Sequence, residues 1–135
     1  SRAMIEAYTE AGLKPEDITY INAHGTSTHL NDMLETKAVK IALGEEQARK
    51  VKINSTKSMT GHMLGGTGAV EAVVCALSIR DSFIHQTIGY TTPDPECDLD
   101  YCVDGPVEMP VSAALSNSLG FGGHNATLCF KKCVD

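Results

Sequence analysis

"INAHGTST", residues 21–28, carries an apolar run into a histidine and follows it with a glycine and three consecutive hydroxyl side chains. The run starts upstream, since Ile18 to Ala23 is mostly apolar and is entered from the proline-containing turn "KPED". A short run of this kind bounded by turn residues suits a buried strand. The glycine and hydroxyls then mark the point where strand hands over to the next element.

Working outward, "SRAMIEAYTEAGL" places Ala3, Met4, Ala7, Tyr8 and Ala11 along one helical face, with Gly12 as its stop. It starts without Met and is helical from its first residues, which reads as a piece of a longer protein. Downstream, residues 31–43 predict a second helix, with Leu34, Ala38, Ile41 and Ala42 apolar and Gly44 closing it. "VKINS" is a short strand. "TKSMTGHMLGGTG" is a loop rich in glycine and hydroxyls, opening a buried apolar helix from Ala69 to Ile79. Residues 85–110, with four prolines among acidic side chains, read as a long surface connection. "VSAALSNS" and "NATLCFKK" are strands joined by "LGFGGH". The expected fold is α/β: a sheet parallel at first, packed with helices, gaining an antiparallel strand last.

At 135 residues one domain with a real core is expected. Hydrophobic residues at 42% and charged residues at 21% favour a globular chain. A net charge of −6 argues against a general nucleic-acid or anionic-membrane binder, which needs a basic face. No apolar stretch approaches the roughly 20 residues needed to cross a bilayer. Cys75, Cys97, Cys102, Cys129 and Cys133 form an odd set without a CxxC pair, which reads as reduced thiols in a cytosolic setting.

Three segments put polar groups where a strand ends or a helix begins: "HGTST", "STKSMTGHMLGG" and "NSLGFGGHN". In open α/β sheets ligands bind at the carboxyl ends of strands. His24 and His62, at two such junctions, form a candidate acid–base or oxyanion pair. A zinc site from His24, His29, His62 and Asp32 is the rival, without a compact pattern such as HExxH behind it. Lys57, five residues before His62, can set an ammonium beside that imidazole and favour its neutral form. Glu71 either balances Lys57 or is a lone carboxylate at an exposed helix start. The hydroxyls of Thr26, Ser27 and Thr28 either cap the turn or bind the amides of an extended substrate arm. Phe121, between glycines, either plugs a hairpin turn or gates a pocket and offers its backbone N–H to an oxyanion.

Taken together, "NAHGTSTHLND", "NSTKSMTGHMLGGTGAVEA", "PDPECDLDY" and "NSLGFGGHNATLCFKK" resemble the C-terminal part of β-ketoacyl-acyl-carrier-protein synthases, most of all the type II elongating enzymes of bacterial fatty-acid synthesis. The resemblance covers nearly all of the chain. It implies a thiolase-like fold made from two similar halves, a cytoplasmic homodimer, and a decarboxylative Claisen condensation of an acyl thioester with malonyl-acyl-carrier protein. His24 and His62 match the two malonyl-activating histidines, and Lys57 and Glu71 the charged pair that orders them. Thr26 and Thr28 match the hydroxyls that contact the phosphopantetheine arm, the carrier of the substrates, and Phe121 the gating aromatic. The resemblance implies no permanently bound cofactor and no metal. The family's cysteine nucleophile lies in its N-terminal half, and none of the five cysteines here matches it. The chain therefore reads as residues 1–135 of a C-terminal portion, inactive alone. A different kind of function, a non-catalytic subunit of the chain-length-factor type, is the alternative.

Overall fold

The computed structural model describes residues 1–133. Helix α1 (Arg2–Glu10) buries Met4 and Tyr8, and Gly12 at φ +72° turns the chain out of it. A single 3₁₀ turn over Pro15–Asp17, in which Lys14 N–H donates to Asp17 Oδ2 at 2.8 Å, leads to β1 (Tyr20–Asn22). Then follow α2 (His29–Leu43), the single-turn α3 (Glu45–Ala48) and β2 (Lys52–Asn54). After them come the short α4 (Lys57–Thr60) and α5 (Thr67–Asp81). The two-residue strands β3 (Phe83–Ile84) and β4 (Val107–Glu108) precede the longer β5 (Ala113–Leu119) and β6 (Asn125–Lys131).

The main sheet has the order β2-β1-β5-β6. β1 runs parallel to both neighbours, Ile21 facing Ile53 and Leu115, while β6 returns antiparallel to β5. This is the mixed sheet expected from the alternation of elements. Side chains alternate across a strand: Ile21 and Leu115 join Met4, Tyr8, Val39, Leu43 and Ile53 on one face. Tyr20 and Ala114 join Cys75, Ile84 and Val111 on the other. A strand covered on both faces reads as a continuous buried run, which is why residues 18–23 are legible.

Several expectations need correction. The loop before the apolar helix holds a helical turn, α4, and a 3₁₀ turn over Leu64–Gly66, and the helix begins at Thr67. That helix is not buried all round. Its inward face carries Thr67, Glu71, Cys75 and Ser78, while Val70, Val73 and Leu77 are exposed. In α2, likewise, Val39, Ala42 and Leu43 face the core, whereas Leu34 and Ile41 face outward.

The connection after α5 is framed by the β3–β4 pair, Phe83 opposite Glu108. Its acidic stretch is a strap fastened at successive points. Asp94 and Glu96 lie 3.6 and 3.5 Å from the two ring nitrogens of His29. Asp98 pairs with Lys40 at 2.6 Å and Arg49 at 3.1 Å, and Asp100 with Lys52. Ile53 N–H also donates to Asp100 O at 2.9 Å. "PDPECDLDY" thus lies across α2, α3 and β2.

Candidate active site

Because β1, β2 and β5 are parallel, their carboxyl ends share one edge of the sheet. His24 follows β1, Lys57 follows β2, and Phe121 follows β5. The three polar segments picked out in the sequence therefore open at a common edge.

The first loop is drawn tight against the second. Gly25 sits at φ +43°, and a Cβ there would lie 2.5 Å from Ser55 Cβ, so only glycine fits. Glu35, buried in α2, fixes the loop from below: its Oε1 accepts His24 N–H at 2.8 Å and its Oε2 accepts Gly25 N–H at 2.9 Å. Asn117 Nδ2 on β5 donates to the same carboxylate at 3.2 Å. Two backbone N–H groups and an amide meeting one carboxylate give charge-assisted bonds that hold the His24 backbone in place. Sequence reasoning passed over Glu35. Its signal was faint: a carboxylate about two turns after "HGTST", one turn before the apolar Ala38 and Val39.

His24 and His62 meet edge to face, with ring centroids 5.6 Å apart and an interplanar angle of 86°. His24 is half-buried, and its Nδ1 is buried without a hydrogen-bond partner among the described residues. Burial first, then the Lys57 ammonium and His62, bring His24 down to about 4. The ring is therefore neutral at pH 7. His62 is exposed, beyond Gly61 whose φ of +73° ends α4. Leu64 N–H donates to His62 Nδ1 at 3.0 Å. An accepting Nδ1 leaves the ring proton on Nε2.

Lys57 Nζ donates to Glu71 Oε1, and both side chains are buried, Glu71 with only 1% of its surface exposed. The alternative of an exposed carboxylate at a helix start is overturned. Burial pushes the Glu71 carboxyl up, and the Lys57 ammonium pulls it back.

Thr26 and Thr28 share a hydrogen bond of 2.8 Å between their hydroxyls. Thr26 also lines a cavity of about 550 Å³ between α2 and the strap, with Glu35, Ile88, Tyr90 and Tyr101. Neither His24 nor His62 lines that cavity. Phe121 stands at the tip of the β5–β6 connection with 99% of its surface exposed. The rival zinc set is not assembled, since His29 faces the strap carboxylates. Among the described residues no three His, Cys, Asp or Glu side chains converge as metal ligands.

Residues 1–91 match the family model described as "Beta-ketoacyl synthase, C-terminal domain". The chain belongs to the β-ketoacyl synthase family. It is 55% identical over 132 residues to the 3-oxoacyl-(acyl-carrier-protein) synthase 2 of Staphylococcus aureus strain COL and 54% identical to that of Synechocystis. Each match covers 98% of this chain and 32% of the relative, so the chain spans about a third of the curated synthases it matches. Among solved structures, it superposes with a TM-score of 0.94 at 42% identity on a ketosynthase in complex with its type II PKS acyl-carrier protein. That match covers 99% of this chain and 32% of the other. A β-ketoacyl synthase from Burkholderia phymatum superposes at 0.87 with 33% identity, over 98% of this chain and 33% of that one. The thiolase-like fold expected from the motifs follows from these likenesses.

Four of the five cysteines sit where burial works against the thiolate. Burial pushes Cys75 up to about 12 and Cys102 up to about 11, and also raises Cys97 and Cys129. Such groups remain protonated thiols at pH 7, whereas a nucleophilic cysteine needs its thiolate. Cys133 lies exposed in the tail, away from the sheet edge that carries the histidines.

Proposed function

We propose that this chain is the malonyl-activating part of a bacterial, cytoplasmic 3-oxoacyl-acyl-carrier-protein synthase of fatty-acid synthesis. The observation that carries the reading is the edge-to-face His24–His62 pair, with His24 held neutral beside the buried Lys57–Glu71 ion pair. Loss of carbon dioxide from a malonyl thioester builds negative charge on the thioester oxygen. Two fixed N–H donors aimed at that oxygen stabilise it more in the transition state than in the ground state. His62 offers Nε2–H. His24 offers a neutral ring carried on a backbone that Glu35 holds in place. Burial first and the Lys57 cation second hold His24 uncharged, and Glu71 balances that cation. The carbanion so formed attacks an acyl thioester held on a cysteine outside this chain, and the new carbon–carbon bond releases that thiolate.

Thr26 and Thr28 serve as hydroxyl contacts for the phosphopantetheine arm, and Phe121 as the gate and as a backbone N–H donor for the acyl thioester. Acyl-carrier protein is the proposed partner, in keeping with the solved relative bound to its own carrier protein. The intact synthase is proposed to be a homodimer. The alternative is a non-catalytic role of the chain-length-factor type. One experiment separates the two. Malonyl decarboxylation and acyl condensation are assayed for this chain and for a version extended upstream through the nucleophile-bearing half. Activity in the extended version alone is expected, and His62→Ala in it abolishes decarboxylation while acyl loading persists. Inactivity of both forms sinks the synthase reading in favour of the non-catalytic partner.

A further inference from the structure

We propose that Thr67 is a positioning residue that fixes His62 as an Nε2–H donor. The inference deepens the malonyl-activating reading of His62 and rests on it for its catalytic meaning. Thr67 is the first residue of α5 and is buried. Its Oγ1 accepts Met63 N–H at 2.8 Å and lies 3.4 Å from His62 Nδ1. That nitrogen already accepts Leu64 N–H at 3.0 Å, so it carries no proton. The hydroxyl proton of Thr67 is therefore the one that points at the ring. One hydroxyl thus accepts from the turn and donates to the imidazole that the turn surrounds.

The backbone gives the brace its purpose. Leu64 adopts φ +50°, a left-handed conformation that a leucine keeps only where its surroundings hold it. With Met63 N–H tied to Thr67, the chain is pinned on the near side of Leu64, and the Leu64 N–H is aimed at Nδ1. Removing the hydroxyl deletes one donor to Nδ1 and orphans a backbone N–H, so the turn relaxes and the second donor leaves as well. Nδ1 can then take up the ring proton, and the proton on Nε2, the one offered to substrate, is lost in part of the population.

The test reads the tautomer directly. The chain is labelled with 15N-histidine, and long-range proton–nitrogen correlations of the His62 ring are recorded at mildly alkaline pH. Wild type and Thr67→Ser are expected in a single Nε2–H form, and Thr67→Val in a mixture with the Nδ1–H form. Thr67→Ala is the second variant, and far-UV circular dichroism checks that each folds. A pure Nε2–H spectrum in folded Thr67→Val or Thr67→Ala overturns the inference. So does a mixture in Thr67→Ser, or an Nδ1–H ring in wild type, which decides the matter even where both apolar variants unfold. In the upstream-extended version, Thr67→Val is expected to lower the decarboxylation kcat by about tenfold with KM unchanged, and Thr67→Ser to restore it. Should the extended wild type fail to decarboxylate at all, the functional reading falls while the spectra still judge Thr67.

Discussion

His24 has a direct consequence for pH behaviour just below neutrality. Its folded-state value is lowered to about 4 by burial and by Lys57, against roughly 6.5 for an unfolded histidine. Between those values the unfolded chain binds a proton that the folded chain refuses, so stability falls as pH drops through that window and is level above it. Urea unfolding followed from pH 7 to pH 4 should show wild type losing stability relative to His24→Asn; parallel curves would contradict the shift. Glu35 makes a second residue-level prediction. In Glu35→Gln one acceptor becomes an NH₂ that faces donors, which costs about 1–3 kcal/mol of unfolding free energy. His24, His62 and Lys57 could be picked out of the sequence because their types are unusual beside glycines and hydroxyls. Glu35 and Thr67 could not, since a helical Glu or Thr is ordinary and only the fold shows which backbone N–H it receives.

The α4–α5 pair is held together by an ion pair that neither helix could bury alone. Lys57→Met should lower stability by roughly 3 kcal/mol, because it leaves the Glu71 carboxylate buried without its cation, and adding Glu71→Gln should recover much of the loss. Equal stability of the single and double variants in thermal unfolding would refute this account. At this scale α1 was legible from its helical spacing of apolar residues, β1 and β5 as continuous buried runs between turn residues, and β6 from its pairing with β5 across the glycine turn. α4 was hidden, since a single turn gives too few residues to show a period. The inward face of α5 misled for a different reason: Thr67, Glu71, Cys75 and Ser78 are the buried residues, and Val70, Val73 and Leu77 are exposed. A helix apolar all round announces burial but not which side this chain itself covers.

Taken whole, the molecule has a core on both faces of its sheet yet leaves Val70, Val73, Leu77 and, on β6, Leu128 exposed. Exposed apolar residues gathered along one helix favour association. Sedimentation of the chain over a range of concentrations should show self-association, and Val73→Lys should reduce it; a concentration-independent monomer would contradict the idea. The strap has a consequence for how the chain tolerates added length. From Asp94 to Asp100 it is pinned to α2, α3 and β2 at spacings its own residues fix, so an insertion after Asp98 must unfasten one end. A few residues beyond, Asp104 and Pro106 are exposed and Gly105 turns at φ +147°, before β4 begins. A peptide tag spliced between Asp104 and Gly105 should leave the melting temperature nearly unchanged, whereas the same tag after Asp98 should lower it. Within one loop, the molecule has a place that accepts new sequence and a place that refuses it.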